Sequence, residues 1–420
     1  MAKSDSMKKE INKFLYFYRF LATVLKMARL IDKGTREYTC ALIMMFFGSL
    51  AAFGAEYCLQ PVIPILAQDF NLTPTQASLS MSFGTIGMAF SMLLIASISK
   101  HLERKKVMVI ALGISSILIL LMSITEEFAL ILALRFVQGI LLAGFPSLAV
   151  AYINEEFNPK IIGAAIGVYV AATPLGGLVG RILISTLTDV ASWRMGLMIA
   201  GILYLLSAIM MWIFLPPSLN KKIEHGKIKI QWKDFLSLLQ NKKIIMIYLI
   251  AFCVMGCFVC TYNFISYVLM AEPYNLSQTI IGFIFVLYLV GSVSSAVMGT
   301  LSDHYGHGII IVISVIIQLV GILLTLFMPL IVKIIGLAIF TYGFFGVHSN
   351  ACAWAPQSCQ NDKAQVSAMY MLFYYIGAST FGTIGGTFFS NYGWSGIVVF
   401  ETVILTIGLI LAIILYKKKE

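Results

Sequence analysis

The sequence predicts an all-α integral membrane protein with twelve transmembrane helices arranged as two parallel six-helix pseudo-repeats. Its composition, its twelve long apolar runs and a recurring internal offset point that way. Of 420 residues 60% are hydrophobic and only 11% charged, whereas a soluble domain runs at roughly 45–50% apolar and about 25% charged. That balance excludes an ordinary soluble enzyme and a disordered chain. A bilayer-crossing helix needs about 20 apolar residues, so twelve would consume nearly all those present.

Uninterrupted apolar runs cover residues 38–60, 76–99, 107–125, 128–153, 161–187 and 193–215 in the first half. In the second half they cover 244–270, 277–302, 308–327, 331–355, 364–389 and 396–416. Lipid offers a backbone no hydrogen-bond partner, and the runs are too long for barrel strands, so each is expected to be a helix. The expected domains are a tail (1–37), a six-helix bundle (38–215), a central loop (216–243), a second bundle (244–416) and a short tail (417–420).

The net charge of +10 is a topology signal. The tail, the central loop, the C-terminus and every second connecting loop carry 25 of the 29 Lys and Arg residues. By the positive-inside rule those segments and both termini are cytoplasmic, which leaves no case for a nucleic-acid partner. Residues 11–31 are apolar and aromatic but interrupted by Arg19, Lys26 and Arg29. Three cations in mid-membrane are costly, so this stretch is expected to form an interfacial amphipathic helix. It lacks the small-residue cleavage site of a signal peptide. None of the seven Cys lies in an expected external loop, so no disulfide framework is expected. Cys257 and Cys260 sit inside the seventh span without a nearby His and are read as small packing residues; no metal site and no cofactor is expected.

The repeat shows in matched segments. Residues 96–103, leaving the second span, align with 299–306, leaving the eighth, at an offset of 203. Tyr169 and Gly176 match Tyr370 and Gly377, and Trp193 matches Trp394, at an offset of 201. Six spans per repeat keep both halves in one orientation, an architecture that places a site near the midplane between halves and works by rocking.

Several segments resemble the major facilitator superfamily and, within it, the twelve-span drug:proton antiporter group, with particular likeness to bacterial YnfM-type inner-membrane transport proteins. The likeness is carried by residues 57–64, by Arg135 to Gly139, by Tyr169 through Pro174 to Arg181, and by 299–306 and 391–394. It implies two six-helix bundles and secondary transport. The superfamily's cytoplasmic signature is partial in the first half, where Arg104 and Lys105 remain but Lys100 replaces the aspartate. The second copy keeps Gly299, Asp303 and Gly306. By resemblance these residues hold one conformational state; a tight cytoplasmic turn with positive-inside charge also accounts for Arg104 and Lys105. Pro174, Gly176 and Gly177 match the antiporter-associated fifth-span motif, although the usual Gly-Pro pair is Thr173-Pro174; close helix packing explains the glycines equally.

The informative residues are charges left inside spans. Arg135 lies about 10 Å into the fourth span, and resemblance links it to proton coupling; a packing ion pair or snorkelling is the structural alternative. Glu56 in the first span lies at a similar depth, and a carboxylate alternating between a proton and Arg135 would suit antiport. The alternative is a hydrated carboxylate at the outer interface. Arg181 is expected to snorkel or pair with Asp189, and Glu401 has no assigned partner. His348 is a third proton-coupling candidate, or a hydrogen-bonded structural His. Gln60, Gln138, Tyr262, Asn263, Tyr370 and Tyr374 are candidates to line a substrate cavity, though aromatics at helical spacing also serve packing.

An enzyme or an ATP-driven pump is disfavoured, because no Walker loop, H-E-x-x-H or G-x-S-x-G motif and no soluble domain is present. A receptor or scaffold is a further alternative. The sequence therefore predicts a monomeric, multi-pass secondary transporter of the plasma (inner) membrane. Its expected activity is proton-coupled efflux of a small organic or amphiphilic compound, with proton-coupled or facilitated transport of a sugar or other metabolite as the alternative.

Overall fold

The computed structural model describes residues 30–219, 235, 237–359 and 363–417. Eleven of its helices are long and apolar enough to cross a membrane, and apart from one isolated bridge the described residues contain no β pairing. They are α1 (Arg36–Tyr57, extended by a 3-10 turn and the short helix Ile63–Asp69), α2 (Pro74–Ile98), α3 (Arg104–Ile124), α4 (Phe128–Glu156), α5 (Ile162–Val190) and α6 (Trp193–Phe214). The second half contains α7 (Lys242–Met270), α8 (Gln278–Tyr305), α9 (His307–Leu324), α10 (Leu330–Gln357) and α11 (Lys363–Lys417).

The expected eleventh and twelfth spans form one helical stretch of 55 residues, bent at Gly393. At 1.5 Å per residue it would extend about 80 Å, far beyond a bilayer core of about 30 Å. Gly393 has φ +62° and ψ −151°, a conformation open to glycine because it lacks Cβ. Gly306, at φ +84°, turns the chain between α8 and α9 in the same way. The expected amphipathic helix over 11–31 falls outside the described residues except for its end, which is not helical. Ile31 instead pairs with the α4–α5 connection, its N–H donating to Glu156 O at 2.8 Å.

Several helix starts are fixed by polar caps. Thr73 and Gln76 make a reciprocal capping box at α2, and Ser192, Asn241 and Ser277 cap α6, α7 and α8. Outward faces remain apolar: Ile110, Ile114, Ile117 and Leu121 on α3 and Ile202, Leu206, Ile209 and Ile213 on α6 are all exposed. Side chains three or four apart share a helix face, and apolar faces this extensive require lipid.

The core divides at the central loop. One cluster is built almost wholly from residues 31–215, with Tyr375 joining it, and a second almost wholly from 235–415, with Leu93 and Leu178 joining it. α1 packs on α5 in the first, and α7 on α11 in the second. Glycines set both crossings. A Cβ on Gly176 would lie 2.6 Å from Leu50 Cα, and one on Gly377 would lie 2.2 Å from Phe252 O. Small residues let helix backbones approach in this way, so a side chain at either position forces the helices apart. Gly176→Val and Gly377→Val should each cost roughly 1–3 kcal/mol. Gly163→Ala, with no neighbour near its Cβ, should be neutral or stabilising by about 0.5 kcal/mol. Thermal unfolding of the detergent-solubilised variants measures the contrast.

Candidate functional site

The end of the bundle at which α1 begins is termed the near end, and the opposite one the far end. The candidate site lies between α1, α2 and α4, toward the far end. Arg135 on α4 is fully buried. Its Nε donates to Ser80 O on α2 at 2.9 Å, one terminal nitrogen to Ala55 O at 3.2 Å and Gln138 Oε1 at 2.6 Å, and the other to Glu56 O at 2.7 Å. Room is made by Gly84, where a Cβ would lie 2.6 Å from the guanidinium, and by Gly139, which lies against the Gly84 backbone. Carbonyl oxygens and one amide therefore satisfy a cation that lipid could not. Such hydrogen bonds to a charged donor are among the strong ones.

The expected pairing of Arg135 with the Glu56 carboxylate is not made, because the arginine holds the Glu56 main chain instead. The carboxylate is 1% exposed, so it is not a hydrated group at an interface, and neither of its oxygens has a hydrogen-bond partner. Arg135 and Arg181 are near enough to act on its charge. Tyr375 also lies near this carboxylate and beside Tyr57.

Arg181 neither snorkels nor pairs with Asp189. It is 1% exposed, donating from Nε and a terminal nitrogen to Gln60 Oε1 at 2.9 and 2.6 Å. Its guanidinium lies 4.5, 4.6 and 4.7 Å from the ring centres of Tyr57, Phe285 and Tyr288. Asp189 instead accepts from the backbone N–H groups of Gln278 and Thr279 at the start of α8. A Cβ on Gly177 would lie 2.9 Å from Arg181, whereas Pro174 sits within α5 and leaves that helix continuous.

The candidate cavity residues divide into separate groups. Gln60 Nε2 donates to Asn263 Oδ1 at 2.9 Å, joining the two halves of the chain, and Gln138 is engaged by Arg135. The Tyr262 hydroxyl meets Thr341 Oγ1 at 2.6 Å among Phe258, Phe285 and Tyr288, inside the second core. His348 Nδ1 lies 3.0 Å from the Tyr370 hydroxyl, and its ring packs on Tyr374 at 4.7 Å. Tyr374 meets Tyr375 edge-on at 5.1 Å, so α11 carries an aromatic column from His348 to the neighbourhood of Glu56. Glu401 has a partner after all: Thr261 Oγ1 lies 2.7 and 2.9 Å from its oxygens.

At the near end, Arg104 contributes more than loop charge. It is buried, pairs with Glu155 through contacts of 2.9 and 3.1 Å, and donates to Ser99 O, clamping the start of α3 to the end of α4. The Lys105 backbone N–H donates to Ser218 Oγ at 3.2 Å. In the second half, Asp303 is exposed beside a 540 Å³ cavity lined by Gly299, Gly306, His307, Asn350 and Gln357 among others. His307 occupies the Arg104 position and bonds Asn350 at 3.0 Å. Sequence reasoning missed Gly84, Glu155, Phe285 and Tyr288. Only the i, i+3 spacing of Gly84 and Gly87 and of Phe285 and Tyr288 hinted at shared helix faces.

The family model of the Major Facilitator Superfamily matches residues 45–378 and 249–420. The chain belongs to that superfamily. It is 37% identical to the MFS-type transporter YybF of Bacillus subtilis, over 90% of this chain and 94% of that one. It is 34% identical to the inner membrane transport protein YnfM of Escherichia coli, over 92% and 93%. A partial match, 27% identical over 51% of this chain and 49% of the other, links it to the chloramphenicol resistance protein CraA of Acinetobacter baumannii. Its fold superimposes on a bacterial homologue of the human lysosomal transporter Spinster with a TM-score of 0.75 at 15% identity, covering 92% of this chain and 98% of that one. This superfamily member is thus a multi-pass membrane transporter and not an enzyme.

The two charges should respond oppositely to substitution. Arg135→Lys keeps a cation but cannot reach acceptors on three helices, and each buried group left unpaired costs about 1–3 kcal/mol. Thermal unfolding should show a clear loss of stability. Glu56→Gln removes an unpartnered carboxylate and should leave stability unchanged or raised.

Proposed function

We propose that the chain is a proton-coupled antiporter of the inner membrane that exports small organic or amphiphilic compounds by alternating access. Three features support a topology of twelve crossings: the bend at Gly393, the length of α11, and the corresponding glycine crossings of α1 on α5 and α7 on α11. In this reading α11 makes two crossings, giving twelve in two parallel repeats of six, and the protein acts as a monomer. The segregation of basic residues puts the near end, with both termini and the central loop, in the cytoplasm.

The observation that carries the proton coupling is the Glu56 carboxylate, buried with neither oxygen partnered while Arg135 is satisfied by neutral acceptors. A buried carboxylate without hydrogen bonds is costly, so it is poised to take a proton or a donor group of the transported compound. Alternation between those partners is the elementary step of antiport. The aromatic column of Tyr370, Tyr374 and Tyr375 supplies apolar faces for an amphiphile, and His348 lies beside it. Export is favoured by the partial likeness to CraA, which makes chloramphenicol a sensible first probe.

Purified protein in liposomes with an imposed pH gradient tests the proposal against a panel of amphiphilic compounds including chloramphenicol. Flux should rise with the gradient. Glu56→Gln should abolish the gradient response while retaining exchange of labelled for unlabelled compound across the membrane. Full gradient-driven flux in Glu56→Gln would overturn the coupling role.

A further inference from the structure

We infer that Arg181 is the positioning residue that holds the far end of the transporter closed, through a polar clasp that water reverses. The inference rests on the alternating-access reading and assigns its gate. The contacts of Arg181 are divided between the two halves of the chain. Tyr57 and Gln60, on and just beyond α1, belong with Arg181 to the first half, while Phe285 and Tyr288 on α8 belong to the second. From Gln60 the linkage continues to Asn263 on α7 at 2.9 Å, and from Asn263 Nδ2 to Gly382 O on α11 at 3.4 Å. One buried cation thus links α5 to α1 and its extension, to α8 and, through Gln60, to α7 and α11.

Its position along the bundle suits a gate. Arg181 lies nine residues from the end of α5, or about 13 Å. The Asp189 contact with the start of α8 lies beyond it at the same end. On the opposite flank of the interface, α2 meets α11 through Ser82 and Thr383 at 2.6 Å, with Ser379 Oγ donating to Ser82 O at 3.1 Å. The seam is therefore bonded by hydroxyls, amides and one guanidinium as well as by packing.

The chemistry explains why such a seam opens. A guanidinium against aromatic faces is held strongly only when desolvated, and the attraction weakens as water enters. Gln60, Asn263 and Arg181 then exchange protein hydrogen bonds for hydrogen bonds to water, at small net cost. A purely apolar seam would instead pay for exposing its surface. No ion pair to Arg181 is made among the described residues, so parting the halves breaks no salt bridge of this arginine.

Spin labels at positions 190 and 280, both exposed at the far ends of α5 and α8, read the clasp directly. A second pair at positions 154 and 305, both exposed near the other ends of α4 and α8, reads the opposite side. Labels are introduced through a non-native amino acid because the chain has seven cysteines. Arg181→Met should raise the fraction of molecules with separated far ends by about threefold or more, the scale set by losing even a weak cation–π contact. The near-end distance should shorten in the same molecules. Asn263→Ala, which removes the cross-half hydrogen bond from Gln60 and the longer one to Gly382 while leaving Arg181 in place, should shift both distances the same way, and Arg181→Lys should restore part of the closed population. If Arg181→Met fails to fold, Asn263→Ala and Gln60→Ala decide the matter. Unchanged distances in folded variants would overturn the clasp. A shift without gradient-driven flux in the wild type would spare the clasp and sink the transport reading; gradient-driven flux with no shift would do the reverse.

Discussion

Everything in this fold follows from the absence of water around it, and Arg135 is where that constraint is most severe. A guanidinium in the bilayer interior must find every partner inside the protein. Arg135 finds three main-chain carbonyls and one amide, and in doing so it fixes α1, α2 and α4 against one another. The carbonyls of Ala55 and Glu56 lie at the end of α1, where helical hydrogen bonding gives way to the 3-10 turn at Gln60. The last turn of a helix leaves carbonyls without internal partners. Arg135 uses what that helix end provides, and Gly84 and Gly139 supply the room.

This arrangement determines the character of its neighbours. Because neutral acceptors satisfy Arg135 and Arg181, neither arginine consumes the Glu56 carboxylate, which stays available for a changing partner. In the proposed mechanism the two arginines take different parts: Arg135 joins α1, α2 and α4, and Arg181 bridges the two halves that would separate. The same division appears at the near end. Arg104 and Glu155 lock α3 to α4, while the second half has His307 and an open cavity in the corresponding place.

The spans were legible because apolar length is a strong signal, and their edges shifted by only a few residues, as in α4, which runs to Glu156. The gap expected between 389 and 396 contains the bend at Gly393; what the sequence did not show is that helical geometry resumes after that single residue, leaving one stretch of 55 residues. The charges singled out inside spans are buried in the structure, but their partners were not foreseen. A search for opposite charges proposed Glu56 for Arg135 and Asp189 for Arg181. The structure instead uses carbonyl oxygens, two glutamines and aromatic faces, none of which has a charge to betray it in the sequence. Thr261 beside Glu401 was hidden for the same reason. The glycines at 176 and 377 were found as repeat partners, yet the backbone approach they permit shows only in three dimensions.

The central claim is that Glu56 changes its protonation as the transported compound binds. Infrared difference spectroscopy reads this most directly, by comparing the protonated-carboxyl stretch of the purified protein with and without a compound identified by the flux assay. The account predicts loss of a protonated-carboxyl band on binding, absent from Glu56→Gln and retained in Glu401→Gln. A band that is unchanged on binding, or that persists in Glu56→Gln, would contradict it.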